Sequence, residues 1–282
     1  MDLNNIELLV LDVDGTILDE KGELSPEVGS FLRKISRNGF QIALATGRSL
    51  NRTLYIALEI DSRMPLILLN GAWVHHLALG QDWRALNLPR QSAIEAIHLL
   101  RKWNFDIILQ KGIPDSHLFF YERENEDNIE FTGRIQRNFE RCTKIPDLTA
   151  LLQTEDPGEI TLLDTTDKIL EVKEKLARTG LDIGLAYSTS FINQGFSWLE
   201  ILHRDATKGK ALEFLAGKLG IDRAHIAAVG DNFNDIDMLE YAGLGIAIGS
   251  AEPGVKNIAD IILPDDGKGI LGLQSYLGLF SK

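Results

Sequence analysis

The chain has 282 residues, more than one compact domain usually needs, and its 44% hydrophobic and 25% charged residues are those of an ordinary globular protein. A net charge of −12 argues against nucleic acid or an anionic membrane surface as the main partner, since both need a basic face. The single cysteine, Cys142, excludes an intrachain disulfide; with no basic leader in MDLNNIELLV and no apolar run of the ~18 residues a membrane span needs, a cytoplasmic protein is expected.

In chain order, IELLVLD reads as a buried strand ending at Asp12. Ser25-Pro26-Glu27 then supplies a cap, a proline at the first helical position and an acidic first turn, and Gly39 a stop. FQIALAT is a second strand, Ser49 to Ile60 a second helix, and LILLN a third strand. Strand–helix–strand units of this kind predict a parallel sheet covered by helices. The middle of the chain changes character. A helix over 90–103 precedes the strands FDIILQ and HLFFYE, and a helix over 166–179 precedes DIGLAYS and FSWLEIL. Between them lie a polar stretch over 123–157, which shows no clear period, and the strand EITLLD. This repeated helix–strand–strand pattern predicts an α+β domain inserted over 83–200 into a discontinuous core of 1–82 and 201–282, with crossings near Gln81 and His203 acting as a hinge. The parallel rhythm then returns: a helix from Thr207 to Leu219, the strand HIAAVGD, a helix over 235–241, the strands LGIAIG and ADIILP, and a last helix around Lys268.

Four polar clusters follow strands or open helices of the core: Asp12-Val13-Asp14-Gly15-Thr16, Thr46-Gly47-Arg48, Lys208, and Gly230-Asp231 with Asn234-Asp235. Each taken singly has a structural explanation, as a turn or a helix cap. Together they sit where an open parallel sheet binds ligands, outside the carboxyl ends of its strands at the point where strand order reverses. Phosphoryl transfer suits the set. A carboxylate attacking a phosphate needs a cation between them, and Mg2+ takes few carboxylates and keeps waters. Asp12, Asp231 and the Asp14 carbonyl supply such a site, Lys208 a positive charge, Thr46 a hydroxyl, and Gly15-Thr16 backbone N–H groups. Asp14, crowded by like charges, is expected to hold a proton and act as general acid and base.

These four clusters resemble the four motifs of the haloacid dehalogenase superfamily. Asn70-Gly71-Ala72 and the insert between the second and third motifs resemble its Cof-like branch, whose cap is of type II-B. The resemblance implies an α/β, Rossmann-like parallel-sheet core with an inserted α+β cap that sets substrate specificity. It implies Asp12 as nucleophile, Asp14 as acid and base, and Lys208 and Thr46 as phosphate ligands beside Gly15, Thr16, Gly47 and Arg48. Asp231 and Asp235 complete the metal site with Asp12 and Asp14, and Asn234 lies near the phosphate or the attacking water. One departure is HRDATKG before Lys208, where relatives have a segment rich in proline and glycine.

The expected function is therefore a Mg2+-dependent phosphatase acting through an aspartyl-phosphate on a small phosphorylated metabolite, with sugar phosphates among the candidates. A phosphomutase on the same scaffold and a non-catalytic phospho-aspartate regulator are the alternatives. A glycosyltransferase reading of Asp-x-Asp leaves Lys208 and GDNFND unexplained. The six histidines show no metal-ligand spacing. Arg123, Arg134 and Arg137 of the cap are candidates to grip a second anionic group, set against a solvated helix face. Nothing in the pattern specifies an oligomeric state or a regulator.

Overall fold

The computed structural model describes residues 6–19, 21–60, 63–190 and 193–276. In chain order the strands and helices are β1 (Leu8–Asp12), α1 (Pro26–Arg37), β2 (Gln41–Ala45), α2 (Leu50–Ile60), β3 (Pro65–Leu68), β4 (Trp73–His76) and β5 (Gln81–Ala85). There follow α3 (Arg90–Lys102), β6 (Ile108–Gln110), β7 (Phe119–Tyr121), α4 (Ile129–Arg137), β8 (Cys142–Lys144), β9 (Glu159–Thr165), α5 (Thr166–Ala177), β10 (Gly184–Thr189) and β11 (Phe196–Leu202). The last are α6 (Lys208–Leu219), β12 (Ile226–Gly230), α7 (Ile236–Tyr241), β13 (Leu244–Ala247), α8 (Pro253–Lys256) and β14 (Ile261–Ile262). No described helix is long and apolar enough to cross a membrane.

The chain forms two compact units, residues 1–84 with 207–282, and residues 85–206. The sequence reading set these divisions at 82/83 and 200/201. The first differs because β5 continues the edge of the core sheet. The second differs because β11 runs to Leu202 inside the other sheet.

The first unit holds an eight-stranded sheet in the order β14-β13-β12-β1-β2-β3-β4-β5. From β14 to β3 the neighbours are parallel, and β4 turns back antiparallel to β3. β1 is central, with β2 on one side and β12 on the other, so strand order reverses there. All five β1 residues are buried, which is why its sequence runs apolar without alternation until Asp12. α1 starts as its sequence dictates: Ser25 accepts from Val28 N at 3.2 Å and Pro26 takes the first turn. The edge strands β4 and β5 extend the sheet beyond the three strands read before the insert. The expected helix near Lys268 is instead a 3-10 segment, Gly269–Ser275. Gly267 and Gly269 both take left-handed backbone (φ 76° and 51°), which no α-helix continues through.

The second unit holds a six-stranded sheet in the order β10-β11-β9-β6-β7-β8, antiparallel except for the β7–β8 pair. The stretch over 123–157 that shows no clear period contains α4, the short strand β8 and two 3-10 segments. Phe131 and Ile135 of α4 pack with Ile108, Phe119, Tyr121 and Leu163 on one face of this sheet.

Candidate active site

Asp12 ends β1 and is 5% exposed. Its neighbour across the sheet on one side is the end of β2, where Thr46 follows, and on the other the end of β12, where Asp231 follows. The three clusters therefore meet because three parallel strands end together. The fourth arrives from α6. Thr207 caps that helix by accepting from Lys210 N at 3.2 Å, and Lys208 is its first residue. The Lys208 side chain is buried, and Nζ donates to Asp12 Oδ1 and to Asp235 Oδ1, each at 2.6 Å. A cation at a helix N-terminus opposes the helix dipole. Two carboxylates at hydrogen-bond distance outweigh that cost and hold Lys208 protonated well above its ordinary range, against the effect of burial.

Asp235 is fully buried, and its Oδ2 accepts from the backbone N–H groups of Asp231 and Asn232 at 3.0 Å each. A Cβ on Gly230 would stand 2.7 Å from this carboxyl group, so glycine is what lets it fold back on the β12 end. Thr16 Oγ1 donates to Asp231 Oδ1 at 2.8 Å and ties the first cluster to the fourth. Gly15 takes φ 81°, the left-handed turn that brings Thr16 into place.

Carboxylate oxygens of Asp12, Asp231 and Asp235 all lie within 4.8 Å of one another. Burial and the charge of Asp235 push Asp12 up to about 7 despite Lys208. Burial, then Asp12 and Asp235, push Asp231 well above the usual carboxylate range. Three buried acids with one ammonium between them form an oxygen donor set in excess negative charge. That set fits a hard divalent cation such as Mg2+, which would relieve the repulsion.

Asp14 behaves differently from its expectation. Its carboxylate is outside the acidic group and pairs with Arg48, with Nε to Oδ2 at 2.8 Å and Nη2 to Oδ1 at 2.5 Å. Burial alone would raise it, but the Arg48 hydrogen bonds and charge hold it below its usual value. The cations around Asp14, Arg48 first, thus outweigh the crowding expected to keep a proton on it. Arg48 spans Asp14, the Arg52 carbonyl and the Tyr55 hydroxyl. Gly47 leaves room for a neighbour, since a Cβ there would stand 3.1 Å from the Asn70 amide. Thr46 is 1% exposed, and its Oγ1 accepts from Arg48 N at 3.1 Å.

Asn70 is a site residue that the sequence reading left out of its candidate set. It follows β3, takes φ 50°, and accepts from Asn234 Nδ2 at 2.9 Å. Its own Nδ2 is buried and has no hydrogen-bond partner among the described residues. Its backbone N donates to the Thr46 carbonyl at 3.0 Å, which fixes it beside the β2 end. The signal was present as an Asn-Gly pair closing a buried strand. Gly71, with φ 99°, lies so close to the segment before Lys208 that a Cβ would meet the Thr207 carbonyl at 2.1 Å. This contact seats α6 in a chain that lacks the expected proline and glycine before Lys208.

The three cap arginines have different surroundings. Arg123 bonds Asn104 Oδ1 at 2.8 Å, the Phe105 carbonyl at 2.5 Å and Asp106 at 3.1 Å, Arg137 is exposed, and only Arg134 is buried.

A family model described as haloacid dehalogenase-like hydrolase matches residues 9–271. The chain is 26% identical to the phosphatase YwpJ of Bacillus subtilis, over 96% of this chain and all of that one. It is 30% identical to a phosphoglycolate phosphatase of Archaeoglobus fulgidus, over 72% of this chain and 96% of the relative. Among solved structures, a phosphatase of the haloalkanoate superfamily from Bacteroides thetaiotaomicron aligns with a TM-score of 0.79 at 24% identity, covering 97% and 96% of the two chains.

Proposed function

The chain belongs to the haloacid dehalogenase-like hydrolase family, and from that premise we propose that it is a Mg2+-dependent phosphatase of small phosphorylated metabolites, working through an aspartyl-phosphate on Asp12. The observation that carries this reading is the Asp12 carboxylate, which ends the central strand with Lys208 on one oxygen and two further carboxylates within 4.8 Å. The phosphatase names of the relatives support it.

Asp12, Asp231 and Asp235, with the Asp14 carbonyl, would hold Mg2+, which supplies charge to bring an anionic phosphate against an anionic nucleophile. Lys208 adds a second fixed charge, and the Thr46 hydroxyl and the backbone after Asp14 offer donors to phosphate oxygens. In the first step an Asp12 carboxylate oxygen bonds to phosphorus as the bond to the leaving oxygen breaks, and Asp14 gives that oxygen a proton. In the second step Asp14 takes a proton from water, the water oxygen bonds to phosphorus, and the bond to Asp12 breaks. Arg48 holds Asp14 as a carboxylate at rest. Asp14 must therefore loosen from Arg48 to carry the proton of the first step.

A phosphate-release assay over a panel of phosphorylated metabolites, with Mg2+ and with EDTA, tests the reading. Turnover is expected only with Mg2+, and beryllium trifluoride or acid quench should leave an adduct on Asp12. Asp12→Asn should lose both, and substantial hydrolysis by that variant would overturn the covalent route.

A further inference from the structure

The turn that closes β3 is costly, and its cost is gathered around one side chain. Leu69, Asn70 and Gly71 follow one another with φ of 50°, 50° and 99°. Glycine takes left-handed backbone freely, asparagine tolerates it, and a bulky leucine there is an outlier. Such strain persists only where the surroundings impose it. Here Leu69 N donates to the Arg48 carbonyl at 3.2 Å and Asn70 N to the Thr46 carbonyl at 3.0 Å, which lace the turn to the segment before α2. The lacing sets the Asn70 carboxamide against Gly47, where a Cβ would stand 3.1 Å from Nδ2 and 3.3 Å from Oδ1.

From that place Oδ1 accepts from Asn234 Nδ2 at 2.9 Å. Asn70 follows β3 and Asn234 follows β12, and the sheet sets β1 and β2 between those strands. The bond therefore spans the strand ends that carry Asp12 and Thr46. Its cost extends to Asn70 Nδ2, which is buried with no hydrogen-bond partner among the described residues, whereas buried donors are normally satisfied. A turn alone requires none of this. Glycine at position 70 would take the same φ without strain and bury no donor. Left-handed asparagines commonly bond their own neighbourhood, and this one instead reaches a residue 164 positions away.

The partner accounts for the cost. Asn234 adjoins Asp235, whose carboxylate accepts from Lys208 and from the Asp231 backbone N–H. One N–H of the Asn234 amide goes to Asn70, so the amide plane is fixed and its second N–H and its oxygen keep set directions. A dipole held ready in a buried site stabilises developing charge without reorganising during the reaction. We infer that Asn70 is a positioning residue for phosphoryl transfer. Its carbonyl oxygen holds the Asn234 carboxamide toward the reacting phosphoryl group, and the strained turn places that oxygen. Asn70 acts through Asn234 and does not itself touch the substrate.

The inference rests on the phosphatase reading, and two measurements separate them. In the first, hydrolysis of p-nitrophenyl phosphate with Mg2+ is compared in wild type, Asn70→Gly, Asn234→Ala and the double variant. Asn70→Gly should lower kcat about tenfold or more while KM stays within about threefold. It should remain folded under the assay conditions, because glycine takes φ 50° without strain. In the Asn234→Ala background the same substitution should change kcat less than about twofold, as expected when one residue acts through another. A larger loss there would overturn the inference, as would an Asn234→Ala variant as active as wild type. So would an Asn70→Gly variant that is unfolded or keeps its kcat. The second measurement needs no turnover: orthovanadate with Mg2+ should raise the melting temperature of wild type, and raise that of Asn70→Gly less. Equal shifts, or none in either protein, would also overturn it. A wild type whose vanadate shift falls in Asn70→Gly, but which releases no phosphate from any substrate, would sink the phosphatase reading and leave the positioning role standing.

Discussion

At the scale of single residues the site depends on a few charges held out of water. Lys208 is the clearest case, since its ammonium is the only cation bonded to Asp12 and Asp235 among the described residues. Lys208→Met should lower kcat by about 10²–10³-fold, the usual effect of removing one preorganised electrostatic contact. The check is steady-state phosphate release together with a circular dichroism melt, because near-normal turnover in a folded variant would make Lys208 merely structural. The residue identities of the site were legible in the sequence because each cluster closes a strand or opens a helix. Their pairing was less so. Asp14 lies two positions from Asp12, and proximity in sequence predicted shared crowding. Successive turn residues point different ways, however, and Asp14 meets Arg48, which reverses the direction of its pKa. Asn70 escaped because its place in the site depends on a left-handed backbone and a partner 164 positions away.

At the scale of elements, the helix that delivers Lys208 is located by a backbone contact rather than by side-chain packing alone. Gly71→Ala should therefore do more than strain φ. A Cβ would overlap the Thr207 carbonyl at 2.1 Å, so the residues around Gly71 or the start of α6 must shift. The expected loss is about 1–3 kcal/mol of stability, the range for a non-glycine residue forced into such a backbone, read as a lowered midpoint in urea. A larger proportional loss of kcat than Lys208 could suffer from unfolding alone would show that the displacement reaches the catalytic lysine. A neutral Gly71→Ala would mean that this contact is soft. The parallel strands and the helices α1 to α3, α5 and α6 could be read from sequence because each has enough length to show a period or a cap. β8 spans only three residues, and β5, QDWRA, lies mostly exposed at the sheet edge. Their existence is fixed by a neighbouring strand, and local pattern has no means of reporting that.

At the scale of the whole molecule, the buried acids couple stability to pH. Asp12 is raised to about 7 and Glu159 to about 8, so each binds a proton more tightly folded than unfolded. The sign follows from linkage. Their stabilising contribution is complete below the ordinary carboxylate range and is lost as pH rises through about 7 and 8. The metal-free protein should therefore melt at lower temperature at pH 8 than at pH 5.5. Asp14, held low by Arg48, works in the opposite direction only at more acidic pH. Mg2+ binds the deprotonated acids, so its stabilising shift should grow over the same interval. Differential scanning fluorimetry at both pH values, with EDTA and with Mg2+, checks this. A Mg2+ shift independent of pH would contradict the cluster as the metal site. Asp12→Asn should flatten the part of the slope that belongs to the core.

The register of the central strand also has a consequence during synthesis. Leu8 pairs with Ile226, so one edge of β1 waits for a partner made about 220 residues later, while β2 on its other edge follows almost at once. At translation rates of about 5–20 residues per second, the interval is on the order of ten to forty seconds. Throughout it a strand that is apolar up to Asp12 presents unpaired N–H and C=O groups along one side, a template for pairing with any other exposed strand. The inserted unit, whose strands all lie between residues 85 and 206, can complete its sheet within that time. A nascent chain stalled before residue 226 should thus carry a finished insert beside an adhesive half-sheet, and be held soluble only by the ribosome or a chaperone.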